Sequence, residues 1–553
     1  MRQKLKKSGL LFAVCSLFLV LIACAQQGTT ATPEQPGTPG SSATPKMFPL
    51  AESCAGCHDG IVADDGSTYS YVEDWKQNAH AQSALDPLFL AVARAETMNL
   101  PGAEELIQSV CAACHLPMAD LSAQSLGLSQ AFLDNAARAD NELYPLYADG
   151  DSCMICHQLT SKATPGNVIF RDTQMSIDLS KPQAGELRSL YGQYALSEEG
   201  QNMMKNLIGY ESVRTQTLHG ELICSPCHTL YTDSFTVDGK PTGKKLPEQV
   251  TVLEWNSSNY WNIRSCQACH MPVITDSGAL SSIKLTDAVK GKINAHTFLG
   301  SNSYLLRLLN DRFGSLDQGI ANNNDYLLSD TAILTLNGNI KQNPDGSGLL
   351  ALDVRVGSIT GHKFPTGFPS RRAWVHVKVL DETGRVIYES GAYNDKGMIL
   401  DDNADLKKGE FEPHYNVIDK PGQVQIYEAV MIDSTGKATT NLLHGIYYGK
   451  DNRLLPDGFN KKTAHPDCAV VGDAMDDEDF VGGSDIVHYL IQLPEGVGTV
   501  TIEVEILYQT VSYRFLENLR EYSSAQQQAL ADLVQKTPNT PSLVVSKQLK
   551  LSR

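Results

Sequence analysis

The chain lacks an apolar run long enough to cross a bilayer comfortably. Its longest, Leu10 to Ile22, falls short of the roughly 20 residues a spanning helix needs. A basic excess is missing too. The formal net charge is -18, with 45 Lys and Arg against 63 Asp and Glu. That balance excludes nucleic acid and anionic membrane surfaces as natural partners. A partner held electrostatically would carry a basic patch. Uncommitted cysteine is scarce: of 13, all but Cys15, Cys24 and Cys468 fall in one repeated pattern.

That pattern is C-x-x-C-H, and it occurs five times: Cys54–His58, Cys111–His115, Cys153–His157, Cys224–His228 and Cys266–His270, hereafter motifs 1 to 5. A shuffled chain of this composition would contain about 0.01 copies. On a helical turn, positions i and i+3 share a face and i+4 lies beside them. Two thiols so placed can form thioethers to a haem, and the adjacent histidine can ligate its iron. Zinc ribbons do not require a histidine after every second cysteine, and redox C-x-x-C motifs do not come in fives. The cofactor expectation is five covalent haem c groups. Cys54, Cys57, Cys111, Cys114, Cys153, Cys156, Cys224, Cys227, Cys266 and Cys269 are the attachment sites. His58, His115, His157, His228 and His270 are the proximal iron ligands.

The first residues read as an address. Arg2, Lys4, Lys6 and Lys7 precede the short apolar run, as in a signal peptide. Leu21-Ile22-Ala23-Cys24 resembles the lipobox of bacterial lipoproteins, in which Cys24 would be lipidated. Residue 25 is Ala rather than Asp, which by that resemblance favours the outer membrane. The following segment, rich in Gly, Pro, Ser and Thr, cannot bury enough apolar surface to fold and would span roughly 25–30 Å as a coil. The expected localisation is an exported, membrane-anchored lipoprotein of the outer membrane, facing periplasm or cell surface.

The domain reading is 1–23 signal peptide, 24–48 tether, 49–300 haem domain, 301–329 helical connector, 330–512 antiparallel β domain and 513–553 C-terminal helix and strand. Intervals between motifs of 57, 42, 71 and 42 residues show no strict repeat and exclude a solenoid. Periodicity within 49–300 is poor, as expected where haems form the core, so a mainly helical, loop-rich domain with little sheet is predicted. Leu305, Leu308, Leu309 and Phe313 form a helical stripe over 303–317. Beyond it the period changes to two. Val375, Val377 and Val379 alternate with Trp374, His376 and Lys378, and Val500, Ile502 and Val504 alternate with Thr501, Glu503 and Glu505. Asp381-Glu382-Thr383-Gly384 marks a hairpin. The fold class is therefore α+β, a haem domain followed by a β-sandwich-like domain. His376 is expected to be partly exposed.

Fourteen histidines exist and five are proximal. His219 lies too close to Cys224 to bend easily over its own ring, and is expected to cap a neighbour. His80 lies after motif 1, His296 after motif 5, and His362 in the Gly/Pro-rich stretch TGHKFPTGFPSRRAW. The five motifs together with GHKFPTGFPSRRAWVHV, VQIYEAVMID and KDNRLLPDGF resemble a multihaem c-type cytochrome family of exported bacterial and archaeal electron-transfer proteins. That resemblance covers about residues 50–550. It implies that His80, His219, His296 and His362 are distal iron ligands. His414, in FEPHYNVID, is the best candidate for a fifth. Met118 and Met271 follow motifs closely and read as packing residues. Asp473 to Asp479, DAMDDED, could bind calcium, although no Gly occupies an EF-hand turn position. Cys468 reads as a buried, inert thiol.

Electron relay through closely packed, mostly bis-histidine haems follows, with redox proteins as partners and no catalytic residue required. Two alternatives stay open. A haem without a second ligand could reduce a small nitrogen or sulfur compound, although the C-x-x-C-K motif of ammonia-forming nitrite reductases is absent. The β domain could also be a docking module of a surface assembly.

Overall fold

The computed structural model describes residues 47–553 except 64, 129–130, 136–137, 162–166, 170–174, 180–185, 219, 284–287 and 553. The signal sequence, Cys24, nearly all of the tether and His219 lie outside the described residues, as does the side chain of Phe313.

Each attachment motif sits on a short helix: Glu52–His58, Glu104–His115, Cys153–Gln158, Ser225–His228 and Cys266–His270. The longer helices among them have ordinary punctuation. Pro87–Asn99 starts at Asp86, whose carboxylate accepts from the Leu88 and Phe89 amides at 2.8 and 3.4 Å. Pro87 fits the first turn because its missing N–H has no partner to lose there. Pro117–Leu126 stops at Gly127, a left-handed C-cap.

Sheet is more abundant here than the poor periodicity implies. Five two-stranded ladders lie among the described residues before 300. The ladder of Thr229–Phe235 with Pro241–Val250 begins immediately after His228. An isolated ribbon is marginal in water, so each ladder depends on what it packs against. The Ser234 hydroxyl, for example, donates to the Gly445 carbonyl at 2.6 Å, tying this ribbon to the C-terminal half.

The predicted helix at 303–317 is two helices, Ser303–Phe313 and Asp317–Ser329. Gly314 at φ 84° separates them, a conformation that costs a residue with a side chain. Leu305, Leu308 and Leu309 are buried as the stripe requires.

Two sheets follow. One has strand order Ala332–Gln342, Gly348–Ser358, Ser484–Leu493, Val417–Ile418; the other is seven-stranded around Arg372–Asp381 and Thr499–Gln509. One continuous core joins Leu352, Val354 and Val487 of the first sheet to Val375, Val377 and Val504 of the second, so the sheets pack face to face. Val377 pairs with Val504 and Val379 with Ile502. All four are fully buried, each contributing roughly 1.5–3 kcal/mol by leaving water. The hairpin at Asp381–Gly384 forms as predicted. The Asp381 carboxylate accepts from the Thr383 amide at 2.9 Å, and Gly384 takes φ 81°. The fold is α+β.

The expected exposure of His376 is corrected: it is 4% exposed. Both faces of Arg372–Asp381 are covered. Trp374 packs with Ile399 and Val424 from a long irregular segment and with its cross-strand partner Ile426. His376 is held between Glu389 and Glu505 at 2.9 and 3.0 Å. The single helix predicted within 513–553 is likewise two, Tyr513–Leu519 and Ala525–Lys536, the second capped by Ser524. The final strand, Ser542–Ser552, joins the larger sheet beside Thr499–Gln509. No helix among the described residues is long and apolar enough to cross a membrane.

Candidate functional site

All five motifs line one cavity of about 1130 Å³, above the usual range for a single small-ligand pocket. None of the ten motif cysteines is in a disulfide. The cavity is walled by the motif helices, by one face of Pro87–Asn99 (Phe89, Val92, Ala93 and Glu96), and by the loop carrying His362.

Four of the five motif histidines are oriented by the backbone. Nδ1 of His58, His157 and His270 lies 2.8, 2.7 and 2.5 Å from the carbonyls of Leu280, Tyr191 and Leu299. Nδ1 of His115 lies 3.3 Å from the Ser83 carbonyl. A carbonyl only accepts, so Nδ1 carries the proton and Nε2 keeps its lone pair, as a metal ligand needs. Burial holds these rings neutral. It pushes His115 down to about 4 and His228 to about 3, and lowers His58, His157 and His270.

The second imidazoles come from three distant places. His80 faces His228 with ring centroids 6.4 Å apart and planes at 83°. His296 faces His157 at 6.4 Å and 14°, and His362 faces His270 at 6.1 Å and 7°. An imidazole nitrogen binds a first-row metal at about 2 Å and lies about 1.1 Å from its ring centroid, so two rings gripping one ion stand about 6.3 Å apart. All three pairs match that spacing. Nδ1 of His80 is buried without a hydrogen-bond partner, and burial lowers the His80 and His296 rings to about 4 and about 3. The residues present fit haem: paired thiols at the walls, and neutral imidazoles at the separation an iron requires.

His362 is held by its neighbours. Its Nδ1 donates to the Lys363 carbonyl at 2.9 Å. Lys363 is fully buried and pairs with Asp451 at 2.8 Å. Arg453 pairs with Asp451 at 2.7 Å and Glu254 at 2.8 Å, and the Thr366 hydroxyl donates to Glu254 at 2.6 Å. Gly367 takes φ 84°, and a β-carbon there would fall 2.1 Å from Arg371 Nη1. The short polar residues and glycines of GHKFPTG thus fix one ring from a loop.

The structure corrects the reading of His414 as a fifth distal ligand, since it does not bring His414 to the cavity. His414 is buried in the β-sandwich half, with Nε2 3.0 Å from Asp477 and Nδ1 2.8 and 3.0 Å from the amides of Gln425 and Asn452. Its partners occupy both ring nitrogens. Asp477, from the acidic stretch considered for calcium, also accepts from Asn416 at 3.1 Å, and Asp479 meets His488 at 3.2 Å. His219 lies outside the described residues. Its neighbours are pinned to motif 5: Gly220 N–H donates to Gln267 at 3.2 Å, and Gln267 donates to the Leu218 carbonyl at 3.1 Å. Met118 is buried with Met154 and Ile155. Cys468 is fully buried, and burial raises its thiol.

Several aromatic side chains pack against these histidines, with almost no advance signal in the sequence. Phe298 packs edge-on against His80 at 4.8 Å and His296 at 5.9 Å. Phe89 stacks on His115 at 3.7 Å and 2°. Tyr71 lies 6.1 Å from His58 and 4.8 Å from His296. An aromatic two residues after a candidate ligand, as Phe298 is, was the only cue available.

No protein-family model matches the chain, and no curated protein matches it. Among solved structures, it is similar to a penta-heme cytochrome c552 from Thermochromatium tepidum. The identity is 16%, with 91% of this chain and 98% of that chain covered, and the TM-score is 0.49.

Proposed function

We propose that the chain is a pentahaem c-type cytochrome that relays electrons in the cell envelope. The observation that carries this reading is the convergence of five C-x-x-C-H motifs on one cavity, with three of their histidines facing a second imidazole at 6.1–6.4 Å. Haem iron supplies one-electron redox chemistry when bound. The ten motif thiols would attach the five groups. His228, His157 and His270 would hold three irons from one side, and His80, His296 and His362 from the other. His219 is proposed as a fourth distal ligand. Ligation by two histidines closes both axial positions to small molecules and omits the methionine that raises potential, so low potentials follow. Backbone carbonyls fix four of the five proximal rings, and the loop network fixes His362, so little need move on reduction.

The N-terminal segment is proposed to anchor the protein by a lipid on Cys24 at the outer membrane. The tether would let the haem-bearing part reach redox partners with basic surfaces. Paramagnetic resonance of the oxidised protein with a potentiometric titration tests the relay. Predominantly low-spin iron at low potentials is expected. Mostly high-spin iron would sink it.

A second reading has one observation in its favour. Among the described residues, no second imidazole is paired with His58 or His115 by ring contact. If His219 serves one of these, the other iron is open and could reduce a small nitrogen or sulfur compound. Carbon monoxide binding to one iron per chain, with turnover of hydroxylamine or nitrite, would establish this reading. Absence of both would remove it.

A further inference from the structure

Two arginines stand side by side in SRRAW, where the strand Arg372–Asp381 begins. Successive side chains at a strand point to opposite faces. Arg372 turns into the β-sandwich half and is saturated there. Its Nη1 pairs with Asp402 at 2.8 Å, its Nη2 with Asp405 at 2.7 Å, and its Nε donates to Gln509 at 2.8 Å. Arg371 lines the cavity of the motifs instead. Its Nη1 donates to the Thr366 carbonyl at 2.5 Å and its Nη2 to Asn302 Oδ1 at 3.3 Å. Its Nε is buried without a hydrogen-bond partner. Leaving a buried guanidinium N–H unmet costs more than an ordinary hydrogen bond contributes. The site is thus built for an acceptor that the described residues do not supply.

Charge narrows the acceptor. Three cationic side chains line the cavity, and two of them, Lys245 and Arg264, are exposed. Asp86 lines the same cavity within electrostatic reach of Arg371. Its carboxylate caps Pro87–Asn99 through the Leu88 and Phe89 amides and makes no ion pair with the guanidinium. The planar edge of a guanidinium favours a carboxylate or another oxyanion.

The bonds that hold the guanidinium run to the two segments that hold one pair of rings. Thr366 shares a loop with His362. Asn302 closely follows Leu299, whose carbonyl lies 2.5 Å from His270 Nδ1. His270 and His362 face each other at 6.1 Å. The backbone beneath Arg371 is fixed as well. The Ser370 hydroxyl donates to the Thr510 carbonyl at 2.9 Å, and the Ser512 amide donates to the Ser370 carbonyl at 2.8 Å.

We infer that Arg371 is the carboxylate-binding residue of the site between His270 and His362, its Nε–H receiving a propionate of the haem held there. This rests on reading the motifs as haem sites. A cation beside the carboxylate keeps it ionised and offsets its negative charge at the iron. Arg371 therefore raises the potential of that one haem.

Potentiometric titration of the holoproteins of Arg371→Gln and Arg371→Lys, with intact mass as the haem count, tests this. In Arg371→Gln with five haems attached, about one fifth of the iron should titrate at lower potential. Arg371→Lys keeps the charge and should shift it less. Unchanged potentials in both variants, with five haems attached, would overturn the assignment and leave the haem reading standing. Two further measurements need only the wild type. In crystals of the holoprotein, a propionate oxygen should lie within hydrogen-bond distance of Arg371 Nε; water or a protein group there would overturn the assignment. Inorganic sulfate added at constant ionic strength should leave the potentials unchanged. A sulfate shift in the wild type that is absent from Arg371→Gln would give the site to a diffusible oxyanion and overturn the propionate. Fewer than five haems on the wild type would overturn the haem reading itself.

Discussion

Removing the His362 imidazole is expected to change one iron and leave the fold alone. In His362→Ala, the ring 6.1 Å from His270 disappears. On the proposed reading, an iron held there would keep one ligand and become high-spin, because a methyl group offers no lone pair. With five motifs in the chain, about one fifth of the iron should leave the low-spin population. The loop should stay in place, because its anchors are elsewhere. Lys363 pairs with Asp451, and Arg453 with Asp451 and Glu254. The ring itself donates one hydrogen bond, to Lys363 O, a loss of about 1 kcal/mol. Paramagnetic resonance and carbon monoxide titration read the spin change, and thermal unfolding reads the fold. One added carbon monoxide site per chain with little change in melting temperature is predicted. A spectrum identical to wild type would refute the assignment of His362. A protein that fails to retain haem would refute the separation of ligand from anchor.

Asp451→Asn leaves Lys363 buried without its carboxylate partner, at a cost of about 3–5 kcal/mol, measured by denaturant unfolding. A loss under about 1 kcal/mol would show the network to be slack. Glu96 gives a pH prediction. It accepts from the Leu442 and Leu443 amides at 2.6 and 3.3 Å, and burial lifts its carboxyl from 4.5 to about 7. The folded chain keeps a proton that the unfolded chain releases, so this stability is full below 4.5 and is lost as pH rises through about 7. The total is roughly 3 kcal/mol. Glu96→Gln keeps the acceptor and removes the charge, so it should be more stable than wild type above about pH 7 and equal to it near pH 4. Parallel curves across that range would contradict the assignment. Cys468 should be the one thiol left to react once thioethers and lipid are in place. A thiol reagent is expected to find none in the folded protein and one per chain after unfolding.

Local chemistry was legible in the sequence wherever the partners were local. Spacing alone placed ten thiols and five histidines on helical turns, and Asp381 to Gly384 declared its hairpin. The alternation of valines declared the buried face shared by the two sheets. What failed depended on residues far away in the chain. Trp374 and His376 looked like a solvent face because their cover, from Gly391 to Ile426 and from Glu505, follows much later. The stripe at 303–317 ignored what Gly314 does to a helix. His414 sat in a polar stretch like those of ligands, yet its partners Asp477 and Asn452 arrive from more distant strands and loops. The second imidazoles are a harder case. His80, His296 and His362 were named through family resemblance, because no local pattern distinguishes them from His444. Only the pairing of rings across the cavity does so.

The account stands on the covalent attachment of five haems, and intact-mass spectrometry of the mature protein weighs them. The account predicts a mass exceeding that of the processed polypeptide and its lipid by five haem groups, persisting under denaturing conditions. A mass equal to polypeptide plus lipid, from a colourless preparation, would contradict it.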